Sequence, residues 1–148
     1  RTVIFQKLAA ILFELLLMNV FIMAVSAASF AFIDEELAIR EFLLLHGAYT
    51  VLQLEIACIC FGISAFIRRS GVGVGLGLAA LLYFLNLFKN ISSQAEFLKY
   101  ITPFAYAEAA DILSESAIDI HLLVLGLIYA AIAVGAAFLK YIRKDITA

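Results

Sequence analysis

Ile120-His-Leu-Leu-Val-Leu-Gly-Leu-Ile-Tyr-Ala-Ala-Ile-Ala-Val-Gly-Ala-Ala-Phe-Leu139 contains no Asp, Glu, Lys or Arg. At about 1.5 Å per residue, such a run forms a helix roughly 30 Å long, the thickness of a bilayer's hydrocarbon core. Three more long apolar runs precede it, from about Leu8 to Ile33, Phe42 to Ile67 and Val72 to Phe88. Lipid offers no partner to an unpaired backbone group, so the helix is the default spanning element. Barrel strands need polar residues at alternate positions, and these runs are continuously apolar. The pattern predicts an all-α, polytopic membrane bundle of four transmembrane helices, one transmembrane domain over residues 1–148.

Composition agrees. Hydrophobic residues make up 66% of the 148 residues and charged residues 15%, against roughly 45–50% and about 25% in soluble domains. Mean hydropathy is +1.09. A water-soluble enzyme and a disordered chain are both excluded. The net charge of −2 offers no basic patch to nucleic acid.

Basic residues set the expected orientation. Arg1, Lys7, Arg68, Arg69, Lys140, Arg143 and Lys144 fall on one side of the four spans, and Arg40, Lys89 and Lys99 on the other. The positive-inside rule places the seven-residue side, with both termini, in the cytoplasm of a multi-pass cell-membrane protein. Residues 89–119 then form an outer segment. It is too long for a turn and too apolar for a solvated loop. Thr102-Pro103 reads as a helix start, a hydroxyl cap followed by proline at the first helical position. Short interfacial or re-entrant helices are expected before the last span, with Phe97, Tyr100, Phe104 and Tyr106 at headgroup level.

Polar residues within the spans are the candidate functional groups. Glu14, Asn19, Gln53, Glu55 and Asn86 interrupt apolar runs, at a cost of about 2.5–3.5 kcal/mol for an ionised group on insertion scales. Glu55, Gln53, Asn19 and Glu14 are candidates for a substrate path. The competing reading is interhelical hydrogen bonding, worth about 0.6 kcal/mol per bond. Gln53 and Glu55 lie about 200° apart on a helical wheel, so the second span is expected to meet protein or a cavity on two sides. Gly71, Gly73, Gly75 and Gly77 form two small-xxx-small pairs suited to close helix packing. Cys58 and Cys60 read as buried packing residues. His46 and His121 lack the ligand spacing of a metal site, and no metal is expected. Asn90-Ile91-Ser92 matches a glycosylation sequon near the membrane. No nucleophile elbow, zinc helix or nucleotide motif appears, and no catalytic residue is assigned.

Three stretches carry a resemblance. Leu98-Lys-Tyr-Ile-Thr-Pro-Phe-Ala-Tyr-Ala-Glu-Ala-Ala-Asp-Ile-Leu113 resembles the outer segment of type 2 ATP-binding-cassette (ABC) permeases, with Pro103, Phe104, Tyr106 and Asp111 at the motif positions. Tyr141-Ile-Arg-Lys-Asp-Ile146 looks like that family's ending. Ile63-Ser-Ala-Phe-Ile-Arg-Arg69 resembles the end of its fourth span. The resemblance implies the permease subunit of an ATP-driven exporter working by alternating access. It also implies a second permease copy or homologue and a separate cytoplasmic ATPase that binds ATP and magnesium. No cofactor is then expected in this chain. Arg68 and Arg69, in the short cytoplasmic turn, become candidates for docking the ATPase. Family members usually have six spans, so these four would match the last four and the chain would be a fragment. The alternative is a small four-span structural or assembly protein with no transport cycle.

Overall fold

The computed structural model describes residues 2–67 and 72–145. Four long helices dominate: α1 (Thr2–Phe32), α2 (Ile39–Ser64), α3 (Val72–Ile91) and α5 (Ile120–Asp145). Between the last two lie two 3-10 helices, η1 (Ser93–Tyr100) and η2 (Pro103–Ala107), and a short helix, α4 (Ala109–Glu115). The described residues contain no strand. All four long helices are long and apolar enough to cross a membrane, and the chain is a membrane-embedded helix bundle. The helices overrun the apolar stretches at several ends, because backbone hydrogen bonding does not stop where hydropathy falls.

Helix ends are closed by local chemistry. After α1, Asp34 adopts a left-handed conformation (φ 52°), which a short polar side chain tolerates. The Glu35 N–H there donates to the Phe30 carbonyl at 3.3 Å. Ser116, also left-handed (φ 49°), stops α4. Its hydroxyl donates to Glu41 on α2 at 2.6 Å. The Asp119 carboxylate accepts from the N–H groups of His121 (2.9 Å) and Leu122 (3.3 Å), capping α5.

Helix α2 is the hub, and α5 is its principal neighbour. The two run parallel and pack at two glycines. A Cβ on Gly62 would fall 2.7 Å from both Cβ and O of Ala133. A Cβ on Gly126 would overlap the Glu55 carboxylate. Both glycines let backbone approach side chain more closely than any larger residue permits. The α3 glycines behave differently from the expectation of tight packing. Gly75 lies against Cys60, with an added Cβ 3.4 Å from its Sγ, while Gly73 and Gly77 meet nothing within 4 Å among the described residues. Alternate glycines point to different sides of a helix, and only one side of α3 meets α2 here. Gly71 lies outside the described residues. Cys58 packs beside Leu8, Phe61 and Ala137, in an apolar cluster joining α1, α2 and α5.

The segment between α3 and α5 enters the bundle. From Ser93, η1 runs back along α3. The Thr102 hydroxyl then donates to the Leu82 carbonyl at 2.9 Å, and the Tyr129 hydroxyl donates to the Tyr100 carbonyl at 2.8 Å. Leu82 lies about 13 Å from the end of α3, and Tyr129 about as far from the start of α5, at 1.5 Å per residue. The turn at residues 100–103 is therefore re-entrant. Thr102 caps η2, its Oγ1 accepting from the Phe104 N–H at 3.3 Å, with Pro103 at the first helical position. The segment's aromatic residues divide. Phe97 and Tyr100 are exposed, but Tyr106 is 3% exposed and Phe104 packs edge-on against Tyr83. Placing Tyr106 at headgroup level was incorrect: the proline turn aims η2 inward, where its hydroxyl finds a buried acceptor.

Candidate functional site

Gln53 and Glu55 do face different neighbours. The Asn19 amide on α1 donates to Gln53 Oε1 at 2.7 Å and to the Leu15 carbonyl of its own helix at 2.9 Å. The first of these bonds ties α1 to α2. Glu55 faces the other way and is 1% exposed. Its Oε2 accepts from the Tyr106 hydroxyl at 2.9 Å. Gly126 supplies the space that the carboxyl group fills. Its Oε1 has no hydrogen-bond partner among the described residues. Among the described residues the one ion pair is Lys99–Glu96 at 2.7 Å, so no cation there compensates Glu55. A buried carboxyl group with one donor and one orphan oxygen departs from the usual satisfaction of buried polar groups.

A second polar cluster lies nearby. Asn86 on α3 donates to Glu108 Oε1 at 2.7 Å, and Asn90 donates to the same oxygen. Asn86 is 5% exposed, and its Oδ1 is buried without a partner among the described residues. Asn86 and Glu108 border a cavity of about 400 Å³ between α2, α3 and η2, whose lining also includes Gln53, Tyr49, Tyr83 and Phe104. Gln53 and Asn86 thus share one cavity, while Gln53 also bonds Asn19. A separate cleft of about 360 Å³ separates α1 from α2 beside Asn19 and His46.

No family model, curated protein or solved structure matches this chain.

The remaining candidates scatter. Glu14 is exposed on α1. Asp111 is exposed in the first turn of α4. Pro103 is buried at the re-entrant turn. Arg68 and Arg69 lie outside the described residues, as does Ile146 of the tail motif. His46 donates through Nδ1 to the Phe42 carbonyl at 2.9 Å, and its ring packs on Phe42. No group of three His, Cys, Asp or Glu side chains among the described residues is placed to hold a metal.

Sequence reasoning named Glu55 and Tyr106 separately and did not pair them. It missed Glu108 as a site residue, counting it among the outer acids, and it passed over Gly126. Asn86 carried a signal, an amide inside an apolar run. Nothing in the linear pattern links it to a carboxylate 22 residues on.

Proposed function

We propose that this chain is the permease subunit of an ATP-driven ABC exporter, embedded in the cell membrane with both termini in the cytoplasm. Its substrate is unassigned. The single observation behind this reading is that Leu98–Leu113, the run resembling type 2 ABC permeases, is also the run that enters the bundle and reaches Glu55 through Tyr106. A polar group on a re-entrant segment between spanning helices suits a path whose packing changes as the protein alternates between states. The energy source is a cytoplasmic ATPase that binds ATP and magnesium. A second permease copy or homologue completes the path, and the turn holding Arg68 and Arg69 docks the ATPase.

The test is purification of the tagged chain from its native membrane. A permease brings with it an ATPase whose hydrolysis is sensitive to vanadate. Replacing Arg68 and Arg69 with glutamine leaves membrane insertion intact and lowers the yield of that ATPase. A chain that purifies with no nucleotide-hydrolysing partner refutes the proposal.

One observation favours the second reading, a structural or assembly protein. The polar groups largely tie helices of this same chain together, as in Asn19–Gln53, Ser116–Glu41 and Tyr129–Tyr100. Under that reading the chain purifies without ATPase, and its loss changes the abundance of another membrane protein.

A further inference from the structure

We propose that Glu55 is a proton-binding site, and that its proton decides whether the re-entrant segment stays seated in the bundle. The inference is independent of the permease reading, because the packing around Glu55 is the same whether or not the chain works with an ATPase.

The site is deep and closed. Glu55 lies about 14 Å from the nearer end of α2, at 1.5 Å per residue. Both its carboxyl oxygens lie over Gly126 of α5, and it lines neither of the two cavities beside α2. Among the described residues, the groups that face it carry no positive charge. From η2 comes the Tyr106 hydroxyl, and the nearby Glu108 is taken up by two amides. From α5 comes Gly126, while His121 and Tyr129 of that helix are exposed. On α2 itself, Cys58 presents a thiol three residues on.

An ionised carboxylate only accepts, with about four acceptor positions. In a buried site it needs several N–H bonds or a cation. Glu55 receives one hydroxyl, on Oε2, and Oε1 has no partner among the described residues. A proton on Oε1 removes the charge and leaves Oε2 as the carbonyl oxygen to which Tyr106 already donates. What remains unpaired is a neutral O–H, which costs far less in an apolar site than an unpaired charge. No larger ligand fits this description. A metal ion takes several oxygen ligands, and one buried oxygen is free.

The same geometry links the proton to the fold. To ionise, Glu55 must be reached by water, and the element that covers it through a hydrogen bond is η2. The seated segment therefore binds the proton more tightly than the unseated one. By linkage, the proton favours seating. Seating is firmest at low pH and weakens as pH rises, when the proton leaves to water.

The experiment uses the full chain in phosphatidylcholine nanodiscs. Infrared spectra recorded as pH is raised should show a carboxylic-acid C=O absorption that outlasts ionisation of the exposed carboxyl groups and is absent from Glu55→Gln. Seating is read in parallel. The chain has no tryptophan, so Phe104→Trp gives a single reporter on η2. Its quenching by acrylamide should rise at least twofold as the infrared absorption is lost. In the double variant Glu55→Gln/Phe104→Trp, quenching should stay flat over that range, since the amide carries no charge at either extreme. Should Glu55→Gln fail to fold, Tyr106→Phe takes its place in the infrared arm. Loss of the bond to Oε2 should then move the acid absorption to higher frequency. The proposal is overturned if no acid absorption remains once the exposed carboxyl groups have ionised. It is also overturned if the absorption survives in Glu55→Gln, or is unmoved in Tyr106→Phe where that stands in. Quenching that does not follow loss of the absorption, or that rises equally in the glutamine variant, overturns the link to seating.

Discussion

Glu55 shows how one side chain constrains three elements. Its carboxyl group takes a hydrogen bond from η2 and fills the space left by Gly126 on α5. Tyr106→Phe leaves a second carboxyl oxygen without a donor, and the expected loss is about 1–3 kcal/mol of bundle stability. Glu55→Gln keeps an acceptor for the Tyr106 hydroxyl, so its loss should stay under about 1 kcal/mol, near the net worth of one hydrogen bond. Thermal unfolding of the detergent-solubilised variants separates the two. Gly126→Ala should cost about 1–3 kcal/mol as an overpacking substitution. In the double variant Glu55→Ser/Gly126→Ala the costs should fall short of additive, because the shorter side chain vacates the space that the new methyl group enters. Additive losses would mean that the two residues do not share that space. The Asn19–Gln53 bond is a weaker tie, and Gln53→Leu should cost only about 0.6 kcal/mol.

At the scale of elements, α2 and α5 depend on small residues at their crossing, whereas α3 carries glycines that its packing does not use. Gly73→Ala and Gly77→Ala should leave stability unchanged or raise it by up to about 1 kcal/mol, the usual gain from removing an exposed helical glycine. Gly62→Leu should disrupt the α2–α5 contact and lower the yield of folded protein, since Ala133 already touches the glycine. The re-entrant turn rests on Thr102, which both caps η2 and bonds the Leu82 carbonyl. Thr102→Val removes both interactions, at about 1–2 kcal/mol for a lost cap. Amide exchange should speed up across residues 103–107 and leave α5 unaffected. Uniform acceleration through α5 would show that the turn and the bundle open together.

For the whole molecule the testable quantity is orientation. Seven basic residues on one side against three on the other call for both termini in the cytoplasm. In a background lacking Cys58 and Cys60, a cysteine at Ser114 should react with an impermeant thiol reagent in intact cells, and a cysteine at Ser70 should not. Equal labelling would reverse or abolish the assignment. Most of α1 is exposed, including Phe13, Leu17 and Phe21. In water such a surface would drive aggregation; in a bilayer it is solvated by acyl chains.

The number, type and approximate extent of the spanning helices were legible in the sequence, because hydrocarbon imposes one rule on every residue within it. The cap at Thr102-Pro103 was legible for a similar reason: its chemistry is local. The opposed faces of Gln53 and Glu55 followed from helical geometry alone. Which groups meet those faces did not, since the Tyr106–Glu55 bond joins residues 51 positions apart and depends on how far the re-entrant turn descends. The use of Gly62 and Gly126, and the disuse of Gly73 and Gly77, were likewise decided by the crossing of the helices. A glycine's value lies in what approaches it, and only the tertiary fold brings that neighbour near. Asn86 and Glu108 belong with these, each unremarkable in its own segment and joined into one cavity wall by the packing of η2 against α3.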